Sequence, residues 1–264
     1  MPRPNSTKPP SKTTTQPLAS PPTDPAALLY PFAPLLPGIV RNRYKRFFAD
    51  IELASGETVV AHCPNTGPMT GLYEPGRRVM VSQNDDPKRK LKYTWELVEC
   101  NDNGAPVWVG ANTALPNRVM RWVLENKLIP ELGDYRDIQS EVKYGTDGKS
   151  RVDFVVQGPD RPIYIEVKNT TWVEGSLALF PDTVTTRGQK HIRELQALLP
   201  GCRAVMVYFI NRGDCDRFSP GDQRDPKYGE LLRAAVQAGL DVLPCSFDVS
   251  PAGLRYRGLA ELVL

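Results

Sequence analysis

Residues 112–264 alternate between helical and extended hydrophobic patterns. Within 115–128, Val119, Trp122 and Val123 fall on one helical face, and Pro116 suits the first turn of a helix. The same spacing predicts helices at 187–199 and 228–238. Clusters of β-branched and apolar residues between turn residues predict strands at 138–144, 151–157, 163–168, 203–210 and 240–247. The order helix, three strands, helix, strand, helix, strand predicts an α/β domain.

The preceding part of the chain shows short extended runs separated by glycine and proline turns. Candidate strands are 39–53, 58–63, 77–82, 93–99 and 107–109. Five short strands predict a small OB-like β-barrel, although no clear helix lies between the third and fourth strands. The first 28 residues are rich in proline, serine and threonine, so a disordered tail is expected there. The predicted organisation is a tail (1–28), an OB-like domain (29–111) and an α/β domain (112–264).

Composition narrows the classes of function. The formal net charge of the 264 residues is +3, and the tail supplies part of it, so any nucleic-acid binding must use local basic patches. Two histidines exclude a histidine-rich metal site, and five cysteines without C-x-x-C spacing argue for reduced, buried thiols. No apolar run approaches the ~20 residues that span a bilayer, and no signal-peptide pattern is visible. A cytoplasmic protein without a membrane partner is therefore expected.

Two carboxylates and a lysine are the main candidates for chemistry. Asp153 lies on one predicted strand, and Glu166 and Lys168 share one face of the next strand, beyond a Gly-Pro turn. If the two strands pair, Asp153 comes close to both. Acidic oxygens that share a site attract a hard cation such as magnesium. A lysine beside the metal could steer water or stabilise negative charge on a phosphate. The alternative to this catalytic role is that the acid and the lysine form a solvated cross-strand ion pair.

The D-x(n)-E-x-K pattern resembles the motif of the PD-(D/E)xK nuclease superfamily, and the order of elements around it is that of the restriction-endonuclease-like core. The wider chain, from about residue 37, resembles the sugar fermentation stimulation protein family of prokaryotes. The matching segments are RYKRFFADIEL (43–53), AHCPNTGPMTGL (61–72), NDDPKRKLKYTWELVE (84–99), NTALPNR (112–118), EVKYG (141–145), RVDF (151–154), IEVKN (165–169), FPDTVTTRGQKH (180–191) and DPKYGELL (225–232). The resemblance implies an OB-like barrel followed by a restriction-endonuclease-like (PD-(D/E)xK) mixed-sheet domain, with DNA binding as the family's biochemical label.

The resemblance also suggests roles in the second domain. Asp153, Glu166 and the Val167 carbonyl would hold Mg²⁺ or Mn²⁺, and Lys168 would orient the attacking water. Glu141 is either a further acidic ligand or the partner of Lys143 or Arg151 in an ion pair. Gln189 and Lys190, at the start of the following helix, could contact the attacking water or a phosphate. His191 is either a general base or a packed helix residue.

Basic residues interleaved with aromatic residues in the barrel are typical of a phosphate-and-stacking surface. The alternative is that the aromatic side chains are core and the charges are solvated loops. The proposed DNA contacts are Arg43, Lys45, Arg46, Lys88, Arg89, Lys90, Lys92, Tyr93 and, in the second domain, Lys190.

The sequence supports two classes of function. The first is a DNA-binding protein with a metal-dependent phosphodiesterase site. This class is favoured by the presence of all three motif residues, Asp153, Glu166 and Lys168. The second is a non-catalytic DNA-binding regulator, linked to sugar metabolism, whose nuclease-like domain is a scaffold. The partner is expected to be DNA bound with little or no sequence specificity. RNA or nucleotide substrates and a homodimer stay open.

Overall fold

The structure is a computed structural model that describes residues 29–145, 150–199 and 201–264. The predicted tail, residues 1–28, lies outside these ranges. Within the described ranges, no helix is long and apolar enough to cross a membrane.

The N-terminal domain is a closed five-stranded barrel. The chain enters through a short strand outside the barrel, β1 (Tyr30–Pro31). The barrel strands are β2 (Leu35–Tyr44), β3 (Phe48–Leu53), β4 (Thr58–His62), β5 (Arg78–Gln83) and β6 (Tyr93–Cys100). β2 pairs with β3 and β5, and the ring closes where β4 runs parallel to β6. This connectivity is that of an OB barrel and confirms the predicted fold.

One predicted strand, 39–53, is in fact a hairpin. Its two arms are β2 and β3, and the turn between them holds Lys45 and Arg46 at φ 50° and 63°. Neither glycine nor proline marks this turn, so no turn residue divides the predicted strand. The hairpin supplies two barrel strands, β2 and β3, where the sequence predicts one, and the ring thereby reaches five strands. The last predicted strand, β7 (Val107–Gly110), pairs outside the ring with β6. Residues 63–77 form turns without a helix, as the sequence indicates.

The second domain contains three helices around a mixed sheet. Its helices are α1 (Leu115–Glu125), α2 (Thr186–Leu198) and α3 (Pro226–Gln237), with a short 3₁₀ turn at Pro130–Leu132. Its strands are β8 (Arg136–Tyr144), β9 (Ser150–Gln157), β10 (Pro162–Thr170), β11 (Trp172–Glu174), β12 (Leu177–Phe180), β13 (Arg203–Ile210), β14 (Arg217–Pro220), β15 (Asp241–Ser250), β16 (Gly253–Leu259) and β17 (Glu261–Leu262).

The main sheet has the order β1-β16-β15-β13-β10-β9-β8, and β10, β13 and β15 are parallel. Both faces are covered, which explains the continuous apolar run of β13. α1 packs its Val119 and Val123 on one face, and α2 and α3 pack Leu195 and Leu232 on the other. β9 and β10 lie side by side in one sheet, as predicted.

Several short strands escape sequence prediction. β11, β12, β14 and β17 form a separate four-stranded sheet, and strands of two to four residues are too short to show a period. β1 pairs with β16 through Tyr30 and Leu254, so the start of the range predicted for the barrel domain belongs to the main sheet instead. Gly253 permits this pairing, because a Cβ there would lie 2.2 Å from the Tyr30 carbonyl oxygen.

Candidate functional site

Asp153 and Glu166 lie where two paired strands separate. The antiparallel pairing of β9 with β10 ends at Phe154 and Ile165, so the next position brings Asp153 opposite Glu166 beyond the ladder. There the Val167 N–H donates to Asp153 Oδ2 at 2.7 Å rather than to a backbone carbonyl. Because the N–H and C=O of one strand residue point to the same edge, the Val167 carbonyl also faces this gap.

Asp153 is held from the other side by the first turn of α1. Asn117 Nδ2 donates to Asp153 Oδ1 at 2.6 Å. With the Val167 amide, this contact fixes both carboxyl oxygens. Asn117 lies in the 112–118 segment on which the family resemblance partly rests, but no sequence pattern marks it as a partner of Asp153. A polar residue on a helix carries no periodic pattern that would reveal such a partner.

Glu166 is buried and carries an unpartnered oxygen. Its side chain is 4% exposed, and Oε1 accepts a hydrogen bond from Lys168 Nζ at 2.5 Å. His191, on α2, also binds this oxygen through Nδ1. Arg187 Nε donates to His191 Nε2 at 3.4 Å, and Lys168 Nζ lies 3.1 Å from His191 Nδ1. Glu166 Oε2 is buried without a hydrogen-bond partner in the described structure.

The two carboxyl groups have opposite pKa shifts. Burial raises the pKa of Asp153 to about 6, and the nearby charge of Glu166 adds to the rise. Burial alone would raise the pKa of Glu166 as well, but the hydrogen bond from His191 and the charge of Lys168 together hold it below its usual value. Two acids therefore share a partly desolvated space, which a cation would relieve.

Glu141 lies opposite Asp153 on the other side of β9. The β8–β9 pairs Ser140–Phe154 and Val142–Val152 bracket this position. Glu141 has a φ of 55°, so the strand is locally distorted. Among the described residues, the Glu141 carboxyl group forms no ion pair with Lys143 or Arg151. The ion-pair interpretation is thus not supported. Glu141, Asp153 and Glu166 therefore lie side by side, at directly opposed positions on the neighbouring strands β8, β9 and β10.

These acids open into a cavity of about 510 Å³. Its lining combines the acids with cationic side chains from α2: Glu141, Ser150, Arg151, Asp153, Glu166, Arg187, Lys190 and His191. Within the described ranges, no three His, Cys, Asp or Glu side chains converge as a ready metal cage. A metal here would rely on Asp153, Glu166, the Val167 carbonyl and water. The unpartnered Glu166 Oε2 and the raised pKa of Asp153 fit that ligand set.

Gln189 lies elsewhere. Its amide donates to both carboxyl oxygens of Asp225, at 3.0 and 3.1 Å, and so braces the N-terminus of α3, which Asp225 caps. It does not line the cavity, and the predicted contact with attacking water is not supported. Lys190 does line the cavity, although it also pairs with Glu194 at 3.4 Å.

The predicted DNA contacts on the barrel divide into two groups. Arg43 is turned inward, and its Nη2 donates to the carbonyls of Arg46, Asn65 and Gly67, so its role is structural. Arg89 donates to Thr94 Oγ1 at 2.9 Å, and Tyr93 packs against the barrel core. The residues that stay exposed are Lys45, Arg46, Lys88, Lys90 and Lys92. Phe47, next to Arg46, is also exposed, at 49%.

The two domains share apolar and polar contacts. Leu97 of β6 is buried in the same core cluster as α1. Thr113 Oγ1 donates to the Pro64 carbonyl at 3.0 Å, which joins the 63–67 loop to the segment before α1. Arg212, 1% exposed, binds Asp102 of the barrel at 2.8 Å and Asp214 at 2.6 Å. All five cysteines are buried and free, as the sequence predicts.

Fold and site together define a two-domain protein in which an OB barrel is joined to a nuclease-like mixed sheet. Family models agree: the SfsA N-terminal OB domain matches residues 42–111, and the sugar fermentation stimulation protein RE domain matches 114–253. The chain belongs to the sugar fermentation stimulation protein family.

Individual relatives support this assignment. A sugar fermentation stimulation protein homolog of Trichormus variabilis is 63% identical over 89% of this chain and 98% of its own length. The homolog of Nostoc punctiforme is 64% identical over the same shares. Among solved structures, SfsA of Pyrococcus furiosus in complex with Ca²⁺ matches with a TM-score of 0.80 and 28% identity, covering 89% of this chain and 99% of that one.

Proposed function

We propose that this protein binds DNA and hydrolyses its phosphodiester bonds with the help of a divalent metal ion. The observation that carries the proposal is the pair Asp153 and Glu166 at the separation of β9 and β10, with Glu166 Oε2 buried and unpartnered. An orphaned buried carboxylate oxygen is costly in a purely structural role, because its lost hydration is not replaced. A bound metal ion would take this oxygen as a ligand and so offset the cost.

The residues that would hold Mg²⁺ or Mn²⁺ are Asp153, Glu166 and the Val167 carbonyl. When bound, the metal would supply Lewis-acid stabilisation of negative charge on a phosphate oxygen. The Ca²⁺ complex of the Pyrococcus furiosus relative supports a divalent metal ion for this protein as well. Lys168, fixed against Glu166, would place a positive charge beside the scissile group.

The exposed cations of the barrel would hold the nucleic acid. Lys45 and Arg46 lie at the tip of the β2–β3 hairpin beside the exposed ring of Phe47, and Lys88, Lys90 and Lys92 lie in the loop before β6. Cationic side chains bind the phosphates of any nucleotide sequence, and an exposed aromatic ring can stack on any base. This arrangement favours binding with little sequence specificity.

One observation favours the non-catalytic alternative. Lys168, whose side chain is 13% exposed, is hydrogen-bonded directly to Glu166. It could neutralise this acid in place of a metal. In that case the second domain would be a scaffold for a DNA-binding regulator. The two proposals differ in whether the carboxylates bind a metal, so metal binding and cleavage have to be measured separately.

The test incubates purified protein with single-stranded and duplex DNA in Mg²⁺, Mn²⁺ or EDTA. Wild type is expected to cut with metal only, and Asp153→Ala to lose cutting while retaining DNA binding. Asp160→Ala, which removes an exposed carboxylate from the turn between β9 and β10, is the matched control and should cut normally. Calorimetric titration with Ca²⁺ reports metal binding without cleavage. Metal binding in neither wild type nor control would leave the scaffold interpretation standing, and equal cutting by Asp153→Ala would place the activity elsewhere.

A further inference from the structure

A second cavity, of about 500 Å³, lies where three parts of the chain meet. The β1 segment contributes Tyr30 and Phe32, the barrel contributes β5 and β6, and α1 contributes its first turn. Neither the carboxylates of the candidate nuclease site nor the exposed lysines of the barrel belong to it. Its size lies within the range of pockets that hold small organic ligands.

The floor of this cavity is a buried acid. Glu96 is 6% exposed, and its carboxyl oxygens accept hydrogen bonds from Ser82 Oγ at 2.6 Å and Asn112 Nδ2 at 2.7 Å. These contacts fix the carboxyl plane. A carboxylate has about four acceptor positions, so its oxygens can accept further hydrogen bonds from a ligand that carries an amino group.

The rim of the cavity is cationic. Arg118 is exposed and forms no hydrogen bond or ion pair with any other residue in the described ranges. Arg89 uses one nitrogen on Thr94 Oγ1, at 2.9 Å, and keeps its remaining donors. Guanidinium groups bind phosphate oxygens with two parallel hydrogen bonds. The cavity therefore offers cations at its mouth, aromatic rings on its wall and a hydrogen-bond acceptor at its floor.

The first turn of α1 connects this cavity to the candidate nuclease site. Asn117 binds Asp153, and the next residue, Arg118, lines the cavity. Consecutive helical residues point about 100° apart, and a helix with its side chains is about 10–12 Å across. The two sites thus lie on different sides of one helical turn, within reach of a strand of a few nucleotides.

We propose that this cavity binds one nucleotide of a single-stranded nucleic acid, with its phosphate at Arg118 and Arg89 and its base between the aromatic wall and Glu96. The proposal rests on the proposed action on nucleic acid and adds to it a preference for strand ends or unpaired bases, since a paired base cannot enter. A free mononucleotide has the same chemistry and serves as the probe.

The experiment titrates the full chain with the four 2′-deoxynucleoside 5′-monophosphates in EDTA, and detects contact by saturation-transfer NMR. Arg118→Gln should weaken binding about tenfold, the scale of one lost charge-assisted hydrogen bond. Ala114→Trp places a large side chain at the mouth of the cavity from an exposed position and should abolish binding. Arg136→Gln removes an equal charge from the far end of β8, where the side chain is 80% exposed, and should bind as wild type does.

Unchanged binding in Arg118→Gln, or the absence of any mononucleotide contact at millimolar concentration in wild type, would overturn the proposal. Thermal unfolding of each variant shows whether it is folded, and Arg118→Gln alone decides the question if Ala114→Trp is not. Because EDTA removes any metal, binding is scored independently of cleavage. Cleavage without mononucleotide binding would refute this inference alone, and binding without cleavage would refute the nuclease proposal alone.

Discussion

Replacing Asp153 by asparagine should stabilise the metal-free protein while it removes metal-dependent cleavage. Burial raises the pKa of Asp153 from 3.8 to about 6. One pKa unit corresponds to about 1.4 kcal/mol, so holding this carboxylate charged in the fold costs at most about 3 kcal/mol at neutral pH. The introduced amide carries no charge, and Asn117 can turn its own amide to accept a hydrogen bond from it.

The sign of the pH dependence follows from the raised pKa. The folded state holds the proton more tightly than the unfolded state, so the cost is fully present above pH 6 and disappears as the pH falls through 3.8. The advantage of Asp153→Asn should therefore be about 3 kcal/mol near pH 8 and about half as large near pH 5. Carboxyl groups remote from Asp153 titrate alike in both proteins and cancel in the difference, whereas Glu166 is coupled to Asp153.

Urea unfolding in EDTA, at both pH values, measures this difference. Asp160→Asn, with an exposed side chain, should stay within about 0.5 kcal/mol of wild type. Added Mg²⁺ should then stabilise wild type and the control by mass action but leave Asp153→Asn unchanged. If Asp153→Asn is no more stable than wild type near pH 8 in EDTA, the carboxylate is not destabilised by burial. If Mg²⁺ stabilises all three proteins equally, the metal binds elsewhere.

Three further outcomes are expected. Lys168→Ala should keep Ca²⁺ binding by calorimetry but lower the cleavage rate by about 10²–10³, because one stabilising charge is lost, and an unaltered rate would remove Lys168 from the chemistry. Neutralising Lys88, Lys90 and Lys92 together should flatten the salt dependence of DNA binding, since fewer counterions are released, and an unchanged slope would point to another surface. Arg212→Leu should destabilise the fold by about 3–5 kcal/mol in urea unfolding because Asp214 loses its buried partner, and a loss under 1 kcal/mol would contradict that role.

Long, strongly patterned elements could be predicted from the sequence alone. The predicted strand 203–210 matches β13 at both ends, since a strand buried on both faces is apolar throughout. The β2–β3 hairpin could not be seen, because its turn uses Lys45 and Arg46 instead of glycine. The sheet formed by β11, β12, β14 and β17 consists of strands too short to establish a pattern.

The candidate site was predictable only in part, for a related reason. Local sequence places Asp153 and Glu166 on neighbouring strands, but it does not show which helix residues reach them. His191 and Gln189 lie two residues apart on α2, and only the packing of α3 shows that Gln189 turns to Asp225 while His191 turns to Glu166. Arg43 was expected on the surface because a basic run carries no information about nearby backbone carbonyls.

The pairing of β1 with β16 makes the barrel an insertion within the second domain. The polypeptide leaves that domain after Pro31, builds the barrel, and returns to it at α1. Two covalent crossings, with Arg212 bound to Asp102 between them, oppose independent rotation of the barrel. A fragment that begins at residue 112 would lack β1 and leave β16 as an open edge, which favours pairing with other chains. The proposed binding and cleavage should therefore be separated by point substitutions in the intact chain, because a cut between the domains would remove β1 from the second domain.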